Sequence, residues 1–304
     1  METDVMYDWN LGGSGEEPLR RVEIHEEILR DGIQCPSAHD PDIDDKLEIV
    51  RLLAACGVDT IDVGLPGAGP RAVADSQRIV ELLRDEKLAP RPTCAARTHA
   101  ADIRPIIEIA ERTGVPIEVM AFIGSSPIRM YAEGWGEDRL EDLTRKAIRM
   151  CAEAGLPPTY VTEDTVRSRP ETLRRLFVAA IEEGATCLTL CDTVGHVTPA
   201  GVRSLVRWTL ALLDELGVRD RVTVDWHGHQ DRGLSLPNAL AAIEEGVDRV
   251  HGTVLGVGER VGNTSTDQLL VNLRLMGDTT RDMRPLHKLV RKVAEAVRWD
   301  IPLN

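Results

Sequence analysis

Short apolar runs alternate with segments of helical periodicity along almost the whole chain. Each run has the length of a buried strand, and the segments between the runs carry apolar residues three and four positions apart. The runs predict eight strands, at 22–25, 60–65, 91–95, 117–123, 159–162, 187–191, 222–227 and 249–254. The segments predict helices at 44–56, 72–85, 103–113, 138–154, 170–183, 199–216 and 234–245, and a further helical segment follows the eighth strand.

Eight strand–helix units with short connections predict an α/β fold, a single-domain (β/α)8 TIM barrel. A doubly wound sheet is the rival fold, but no G-x-G-x-x-G motif follows the first predicted strand, which disfavours a dinucleotide-binding domain. Glycine follows six of the predicted helices, where a left-handed C-terminal cap favours it. These glycines are Gly57, Gly114, Gly155, Gly184, Gly217 and Gly246.

The barrel is expected to occupy residues 19–304. Residues 1–18 are polar and include Gly12-Gly13-Ser14-Gly15, so we expect a flexible N-terminal tail there. The sequence ends at residue 304, and we expect no C-terminal regulatory domain after the barrel. With 42% hydrophobic and 28% charged residues the composition is ordinary for a globular domain, and the net charge of −14 argues against a nucleic-acid partner.

Cysteine usage and the N-terminus indicate the compartment. The six cysteines form no C-x-x-C pair, the N-terminus lacks the basic and apolar regions of a signal peptide, and no apolar run reaches transmembrane length. We therefore expect reduced thiols in a cytoplasmic protein with no membrane partner.

Polar residues lie where the predicted strands end, which is the face of a (β/α)8 barrel that carries the active site. Because the strands are parallel, residues far apart in the sequence are expected to meet at one mouth. The candidates are Arg30, Asp31, Asp62, Glu163, Thr193, His227, His229 and Asn263.

A histidine pair gives this mouth its chemistry. His227 and His229 are two positions apart at the end of the seventh predicted strand, so both imidazoles can point to the same side. Imidazole is a common ligand of divalent metals. An H-x-H pair alone is weak evidence, because surface and core histidines are common. Together with Asp31, and with Arg30 beside it, the pair predicts a metal site that polarises a carbonyl or stabilises an enolate.

Six motifs carry a resemblance to a known family. They are Leu-Arg-Asp-Gly-Ile-Gln (29–34), Ile-Asp-Val-Gly-Leu-Pro (61–66), Thr-Glu-Asp-Thr-Val-Arg-Ser (162–168), Cys-Asp-Thr-Val-Gly-His (191–196), His-Gly-His-Gln-Asp (227–231) and Gly-Val-Gly-Glu-Arg-Val-Gly-Asn (256–263). The chain resembles the metal-dependent DRE-TIM barrel superfamily, which includes 2-isopropylmalate, homocitrate and citramalate synthases and 3-hydroxy-3-methylglutaryl-CoA (HMG-CoA) lyase. The fourth and sixth motifs are more similar to the 2-isopropylmalate synthase branch.

The resemblance implies a set of metal ligands. Asp31, His227, His229 and Asn263 would bind a divalent metal and leave positions open for a bidentate 2-oxo acid. This ligand set suits Mg²⁺, Mn²⁺ or Zn²⁺.

The resemblance also implies catalytic and substrate-binding roles. Arg30 would stabilise negative charge on the ketone oxygen, and Glu163 would belong to the acid–base machinery near the acyl-CoA methyl group. Thr193 would contact the substrate carboxylate. Further substrate contacts are expected from Gln34, Asp62, Arg97 and Met120.

The reaction that the resemblance implies is a Claisen-type condensation of acetyl-CoA, as cosubstrate, with a 2-oxo acid. It would give a 2-alkylmalate-type product. Family analogy and base rates favour a homodimer. The partners expected are therefore a small 2-oxo acid, an acyl-CoA and a second copy of the chain.

Two other functions stay open from the sequence. The first is a lyase or aldolase of the same barrel, although the lyases carry a catalytic cysteine in the loop after strand 8 and residues 256–263 have none. The second is a catalytic subunit that needs a second subunit for a missing segment. In the synthases the chain continues past this point into a subdomain that supplies a histidine.

Several residues depart from the family pattern. His196, after the sixth predicted strand, is a candidate for the missing acid–base group, and a solvated loop histidine is the alternative. Met120 stands on the fourth strand where the synthases tend to have histidine, and Val161 replaces a small polar residue on the fifth. Both make the pocket more apolar, so we hypothesise a 2-oxo acid with a bulkier or less polar side chain.

Overall fold

The computed structural model describes residues 20–301, and its parallel strands close into one barrel in sequence order. Strand β1 completes the barrel by pairing with β8 as well as with β2. The predicted (β/α)8 architecture is therefore confirmed. The strands are β1 (Glu23–Glu26), β2 (Thr60–Asp62), β3 (Arg91–Arg97), β4 (Glu118–Gly124), β5 (Pro158–Glu163), β6 (Cys187–Asp192), β7 (Thr223–Gly228) and β8 (Arg249–Gly252).

Helices cover the outside of the barrel, and every predicted helix is present within three residues of its expected ends. The six predicted cap glycines all have φ between +64° and +106°. The helices are α1 (Ile43–Ala55), α2 (Pro70–Asp85), α3 (Ala100–Thr113), α4 (Pro127–Glu133), α5 (Glu137–Glu153), α6 (Pro170–Glu182), α7 (Pro199–Glu215), α8 (Ser235–Glu244), α9 (Thr266–Leu275) and α10 (Leu286–Val297).

The main apolar core lies between the sheet and the helices. Because strand residues alternate between the two faces, Ile24, Trp226 and Val250 point outward into this layer and are fully buried. Their sequence neighbours point into the barrel. Proline begins helices α2, α4, α6 and α7, where its missing N–H has no helical partner to lose.

The interior of the barrel is charged rather than apolar. Arg249 on β8 donates to Glu118 on β4 (Nη1 to Oε2, 2.8 Å) and to Asp225 on β7 (Nε to Oδ2, 2.7 Å). Asp225 Oδ2 also lies 3.0 Å from His251 Nε2. All four side chains are at least four-fifths buried. A continuous row of paired charges therefore fills the space below the mouth.

Three further expectations concern the chain as a whole. The predicted tail at 1–18 lies outside the described residues. Between residues 20 and 301 no helix is long and apolar enough to cross a membrane. All six cysteines are buried and unpaired.

Candidate metal centre and active site

Three predicted metal ligands meet at the mouth of the barrel. His227 at the end of β7 and His229 just beyond it bring their Nε2 atoms to within 3.1 Å of each other. Asp31 Oδ2 lies 3.9 Å from each of these nitrogens. Two nitrogens and a carboxylate oxygen at these separations can share one ion at about 2.0–2.2 Å from each. The residues present therefore fit a divalent cation.

Local backbone structure explains how Asp31 reaches this point. Asp31 begins a tight turn of 3₁₀ type over Gly32–Gln34, in the loop that follows β1. A Cβ on Gly32 would come within 2.6 Å of Ile28 Cδ1 and 3.3 Å of Val257 O. The glycine of the Arg-Asp-Gly motif thus allows the turn to pack closely against Ile28 and against the backbone of Val257 in the loop after β8.

Asn263, the fourth predicted ligand, lies beside the other three. Its backbone forms an isolated antiparallel bridge with His229, and its Nδ2 donates to Asp31 Oδ2 at 2.5 Å. Its Oδ1 is buried without a hydrogen-bond partner among residues 20–301 and lies against Gly258. The side-chain oxygen of Asn263 is therefore free to bind an ion, and its role as a ligand remains a prediction.

Charge around the site favours cation binding. Burial is the main cause that lowers the pKa of His229 to about 4, helped by His227, so its imidazole is neutral and able to ligate near neutral pH. Burial opposes ionisation of Asp31, but Arg30 and His227 outweigh it and hold the pKa of that carboxyl below its ordinary value.

Arg30 is the hub of a carboxylate cluster. Its Nε donates to Asp62 Oδ2 at 2.7 Å, its Nη1 to Asp31 Oδ1 at 2.9 Å and its Nη2 to Glu27 Oε1 at 2.8 Å. Burial raises the pKa of Asp62 to about 6 although Arg30 opposes this. Asp62 does not line the cavity. Its carboxylate instead accepts a hydrogen bond from the guanidinium of Arg30, which does line it.

A cavity of about 180 Å³ opens in front of the ion site. Residues from strands β3 to β8 and from the loops after β1, β2, β6, β7 and β8 line it. Of the predicted residues, the cavity brings together Arg30, Asp31, Gln34, Met120, Glu163, Thr193, His227 and His229. One wall is apolar and is formed by Leu65, Ala95, Met120, Phe122 and Val161.

Glu163 and Thr193 stand on the polar side of the cavity. Burial raises the pKa of Glu163, and Arg129 Nε, 3.4 Å from its Oε1, opposes the shift. Thr193 Oγ1 accepts the backbone N–H of Asp164 at 2.8 Å, which fixes its hydroxyl at the rim. A carboxyl of raised pKa facing the cavity can exchange a proton with a bound substrate.

Four predicted site residues do not line the cavity. Asn263 lies beside the ion site and Asp62 behind Arg30, as described above, whereas Arg97 and His196 lie outside the site. Arg97 is 63% exposed and forms two hydrogen bonds with Asp102, because β3 ends with its side chain turned toward helix α3. His196 is an exposed residue of the loop after β6, where its backbone N–H binds Asp192 and its carbonyl binds Arg232. The structure therefore gives no support for Arg97 as a substrate contact or for His196 as an acid–base group.

The sequence pattern does not single out Glu27 and leaves His251 undecided, yet both line the cavity. Glu27, His25 and His251 form a second group whose nitrogen and oxygen atoms all lie within 4.8 Å of one another. Burial opposes protonation of His251, but Glu27 and Asp225 on either side raise its pKa to about 9. His251 of this second group therefore pairs with carboxylates on both sides and belongs to the charged interior of the barrel. The sequence signal that could have pointed to Glu27 is the carboxylate pair Glu26-Glu27, which follows the first predicted strand.

Comparisons with known proteins agree with this geometry. The chain is 35% identical over 256 residues to 2-isopropylmalate synthase of Heliobacterium modesticaldum, covering 84% of this chain and 48% of that protein. It is 30% identical over 294 residues to 2-isopropylmalate synthase of Pyrococcus abyssi, covering 94% of this chain and 58% of that protein. The chain thus spans about half the length of the curated relatives that it matches.

The fold is also that of solved lyases. HMG-CoA lyase of Bacillus subtilis superposes with a TM-score of 0.74 at 21% identity, covering 94% of this chain and 97% of that one. At this identity the likeness supports the fold alone. The HMGL-like family model matches residues 21–296, nearly the whole described barrel. The chain therefore belongs to the HMGL-like family of the DRE-TIM barrel superfamily.

Proposed function

We propose that the chain catalyses a divalent-metal-dependent condensation of acetyl-CoA with a 2-oxo acid. The observation that carries the proposal is the convergence of Asp31, His227 and His229 on one point beside Arg30, at the edge of a cavity. The sequence similarity to 2-isopropylmalate synthases over the same barrel supports it.

The residues around the cavity have the properties that this reaction needs. A divalent ion held by Asp31, His227, His229 and Asn263 would supply Lewis-acid polarisation of a ketone oxygen. Arg30 stands beside that position and stabilises the negative charge that develops on the oxygen. Burial opposes the charge on its guanidinium, but three carboxylates outweigh burial and raise the pKa of Arg30 above its ordinary value, so the group keeps its proton.

Glu163 is the acid–base group that the cavity offers. A base takes a proton from the methyl group of acetyl-CoA, and the resulting carbanion forms a bond with the ketone carbon of the 2-oxo acid while the carbonyl π bond breaks. The ketone oxygen then takes up a proton and becomes the hydroxyl group of the product. Water then cleaves the thioester C–S bond, so the products are a 2-hydroxy diacid and the free thiol of coenzyme A. Burial of Glu163 in the cavity wall supports the proton transfer, because a raised pKa lies closer to neutral pH.

The apolar wall indicates which 2-oxo acid fits. Met120, Phe122 and Val161 lie opposite the polar groups, so the side chain of the substrate would contact hydrocarbon. We propose an apolar side chain there. The acetyl-CoA cosubstrate, the homodimer, the second subunit and the cytoplasmic location stay predictions.

Release of free thiol from acetyl-CoA tests the proposal. Purified chain, Mg²⁺ or Mn²⁺ and acetyl-CoA are incubated with each of a panel of 2-oxo acids, and a thiol reagent reports free coenzyme A. The proposal predicts release that needs both the 2-oxo acid and the metal. His287→Ala, at an exposed histidine, is the matched control for His229→Ala, which is expected to abolish release.

A second arm separates condensation from cleavage. The same protein is incubated with CoA thioesters of 3-hydroxy diacids, and the acetyl-CoA and oxo acid that cleavage would release are both measured. Cleavage without any thiol release in the first arm would contradict the condensation and favour a lyase. Release only after a second protein is added would favour the two-subunit alternative.

A further inference from the structure

Glu27, the residue after β1, joins two parts of the site that the sequence leaves separate. Its Oε2 lies 2.7 Å from His227 Nδ1, and its Oε1 accepts from Arg30 Nη2 at 2.8 Å. The side chain is 1% exposed, so water does not satisfy either oxygen. One buried carboxylate therefore contacts a metal ligand through one oxygen and the arginine beside it through the other.

We propose that Glu27 is a positioning residue. It fixes the tautomer and orientation of His227 and holds the guanidinium of Arg30 in place beside the ion site. The part that concerns Arg30 rests on the function proposed above, whereas the part that concerns His227 rests only on the ion site. Nothing in the motifs or in the predicted ligand set includes Glu27.

The tautomer follows from the hydrogen-bonding capacity of a carboxylate. An ionised carboxylate only accepts hydrogen bonds, so the proton of His227 belongs on Nδ1, which faces Glu27. Nε2 then carries the lone pair, and it is this atom that faces His229 Nε2 and Asp31 Oδ2. A carboxylate behind the distal nitrogen of a ligating histidine is how proteins orient the ring and raise its basicity.

The other oxygen of Glu27, Oε1, binds Arg30 and so links the arginine to His227 through one side chain. Arg30 Nη2 is tied to Glu27 while Nη1 is tied to Asp31, so the guanidinium is held between one predicted metal ligand and the residue that orients another. A shift of Glu27 would move His227 and Arg30 together. Active-site groups need such support, because misplacement by about 1 Å costs about 100-fold in rate.

A purely structural role in the charged interior is the competing explanation. Glu27 Oε1 also lies 3.4 Å from His251 Nδ1 and 3.7 Å from His25 Nε2. Loss of Glu27 would then lower stability without a specific effect on metal binding. The two explanations differ in metal affinity and in the tautomer of His227, neither of which depends on the reaction.

The test compares Glu27→Gln with two matched variants. Glutamine offers one acceptor and one donor, so it cannot accept from both His227 and Arg30. Glu26→Gln changes the adjacent buried carboxylate, which points away from the site to Val254 and Thr266. Asp62→Asn removes another buried carboxylate from Arg30 without touching His227.

The first readout is the dissociation constant for Mn²⁺, measured by competition with a chromogenic chelator on folded protein. Glu27→Gln is expected to weaken binding by about 10- to 100-fold, the usual effect of removing such a partner. Glu26→Gln is expected to leave the constant unchanged, and Asp62→Asn to change it much less than Glu27→Gln does. Wild-type affinity in Glu27→Gln, or an equal loss in Asp62→Asn, would overturn the proposal.

The second readout is the ¹⁵N chemical shift of the His227 imidazole in metal-free protein. The wild type should show a protonated Nδ1 and an unprotonated Nε2, and Glu27→Gln should show a mixture or the opposite tautomer. An unchanged tautomer in Glu27→Gln would overturn the proposal. If Glu27→Gln does not fold, Glu27→Asp keeps the charge and shortens the reach, and wild-type metal affinity in that variant would count against the proposal equally.

Discussion

Arg249 and Glu118 pair across the interior of the barrel, from β8 to the opposite strand β4. Arg249 Nη1 lies 2.8 Å from Glu118 Oε2, and Nη2 lies 2.5 Å from Oε1. Asp225 binds the same guanidinium, so one arginine pairs with two buried carboxylates. This arrangement replaces part of the apolar filling that a small barrel normally has, and it continues upward through His251 to the active site.

Arg249→Met should be strongly destabilising. The substitution keeps most of the side-chain volume but leaves the buried Glu118 without its cation and Asp225 with His251 alone. Breaking a buried pair in this way costs about 3–5 kcal/mol. Urea unfolding followed by circular dichroism measures the loss. Arg203→Met, at a more exposed arginine that pairs with Glu244, is the control and should cost less than about 1 kcal/mol. Equal effects of the two variants would contradict the charged interior.

Glu26 should make stability fall as pH rises. Burial raises its pKa to about 8 from an ordinary value of 4.5, although the N–H groups of Ile28 and Val254 favour ionisation. Between these pH values the folded chain keeps a proton that the unfolded chain releases, so the free energy of unfolding decreases with rising pH.

Glu26→Gln should remove this pH dependence, because glutamine resembles the protonated acid in shape. Urea midpoints of wild type and variant are compared at about pH 5 and about pH 8, near the two ends of the range in which only the folded chain keeps the proton. The urea midpoint of Glu26→Gln, relative to that of the wild type, should be greater at the higher pH than at the lower pH. Parallel changes in both proteins would show that Glu26 is ionised in the fold.

His229→Ala should abolish stoichiometric metal binding. His229 supplies one of two converging nitrogens, and burial keeps it neutral. In wild type, Mn²⁺ at about 100 times its dissociation constant should raise the free energy of unfolding by about 2.7 kcal/mol. The variant should show neither bound metal after desalting nor this stabilisation. Metal analysis and thermal unfolding measure the two effects, and stoichiometric metal in the variant would contradict the ligand assignment.

Glu163→Gln should reduce turnover while leaving metal binding intact. An acid–base group contributes about 10²- to 10⁴-fold to the rate, so kcat should fall by that range. Glu133→Gln is the matched control, because Glu133 lies 3.5 Å from the same Arg129 but outside the cavity lining. The raised pKa of Glu163 also predicts that the acidic limb of the pH–rate profile disappears in Glu163→Gln. A profile that keeps this limb would exclude Glu163 as the base.

The apolar wall should set substrate preference. Met120→Ala enlarges the cavity beside Val161 and should shift relative kcat/KM toward 2-oxo acids with longer apolar side chains. The expected change is about 10-fold per methylene or more, since a methylene is worth about 1–3 kcal/mol in such a pocket. Competition between pairs of 2-oxo acids measures the ratio. If wild type and variant both turned over pyruvate and 2-oxoisovalerate alone, this would contradict the hypothesis of a 2-oxo acid with a bulkier or less polar side chain.

The sequence predicts the barrel well because its periodicity is local. Every strand and helix boundary that the sequence predicts lies within a few residues of its expected place, and glycine caps such as Gly114 have the left-handed backbone that their positions require. Helix α4 has only 7 residues, too few to show a helical period, and it is absent from the prediction. The candidate ligands Asp31, His227 and His229 meet because parallel strands end at one face.

The sequence does not predict the direction in which a side chain points at the end of a strand. Arg97 and His196 both follow strands, yet one pairs with Asp102 and the other is exposed, and neither orientation is encoded in a motif. Glu27 is missed for the same reason. It is one of two successive glutamates, and only the register of β1 decides that Glu27 faces the ion site while Glu26 faces α9.

Restoration of thiol release by added metal tests the central claim most directly. The purified chain is stripped with a chelator, supplied with acetyl-CoA and its best 2-oxo acid, and titrated with Mn²⁺ while bound metal and free coenzyme A are both measured. The account predicts no release from the stripped protein and a rate that rises in proportion to the first equivalent of bound metal. Undiminished release from the stripped protein, or one bound equivalent with no release for any 2-oxo acid, would contradict it.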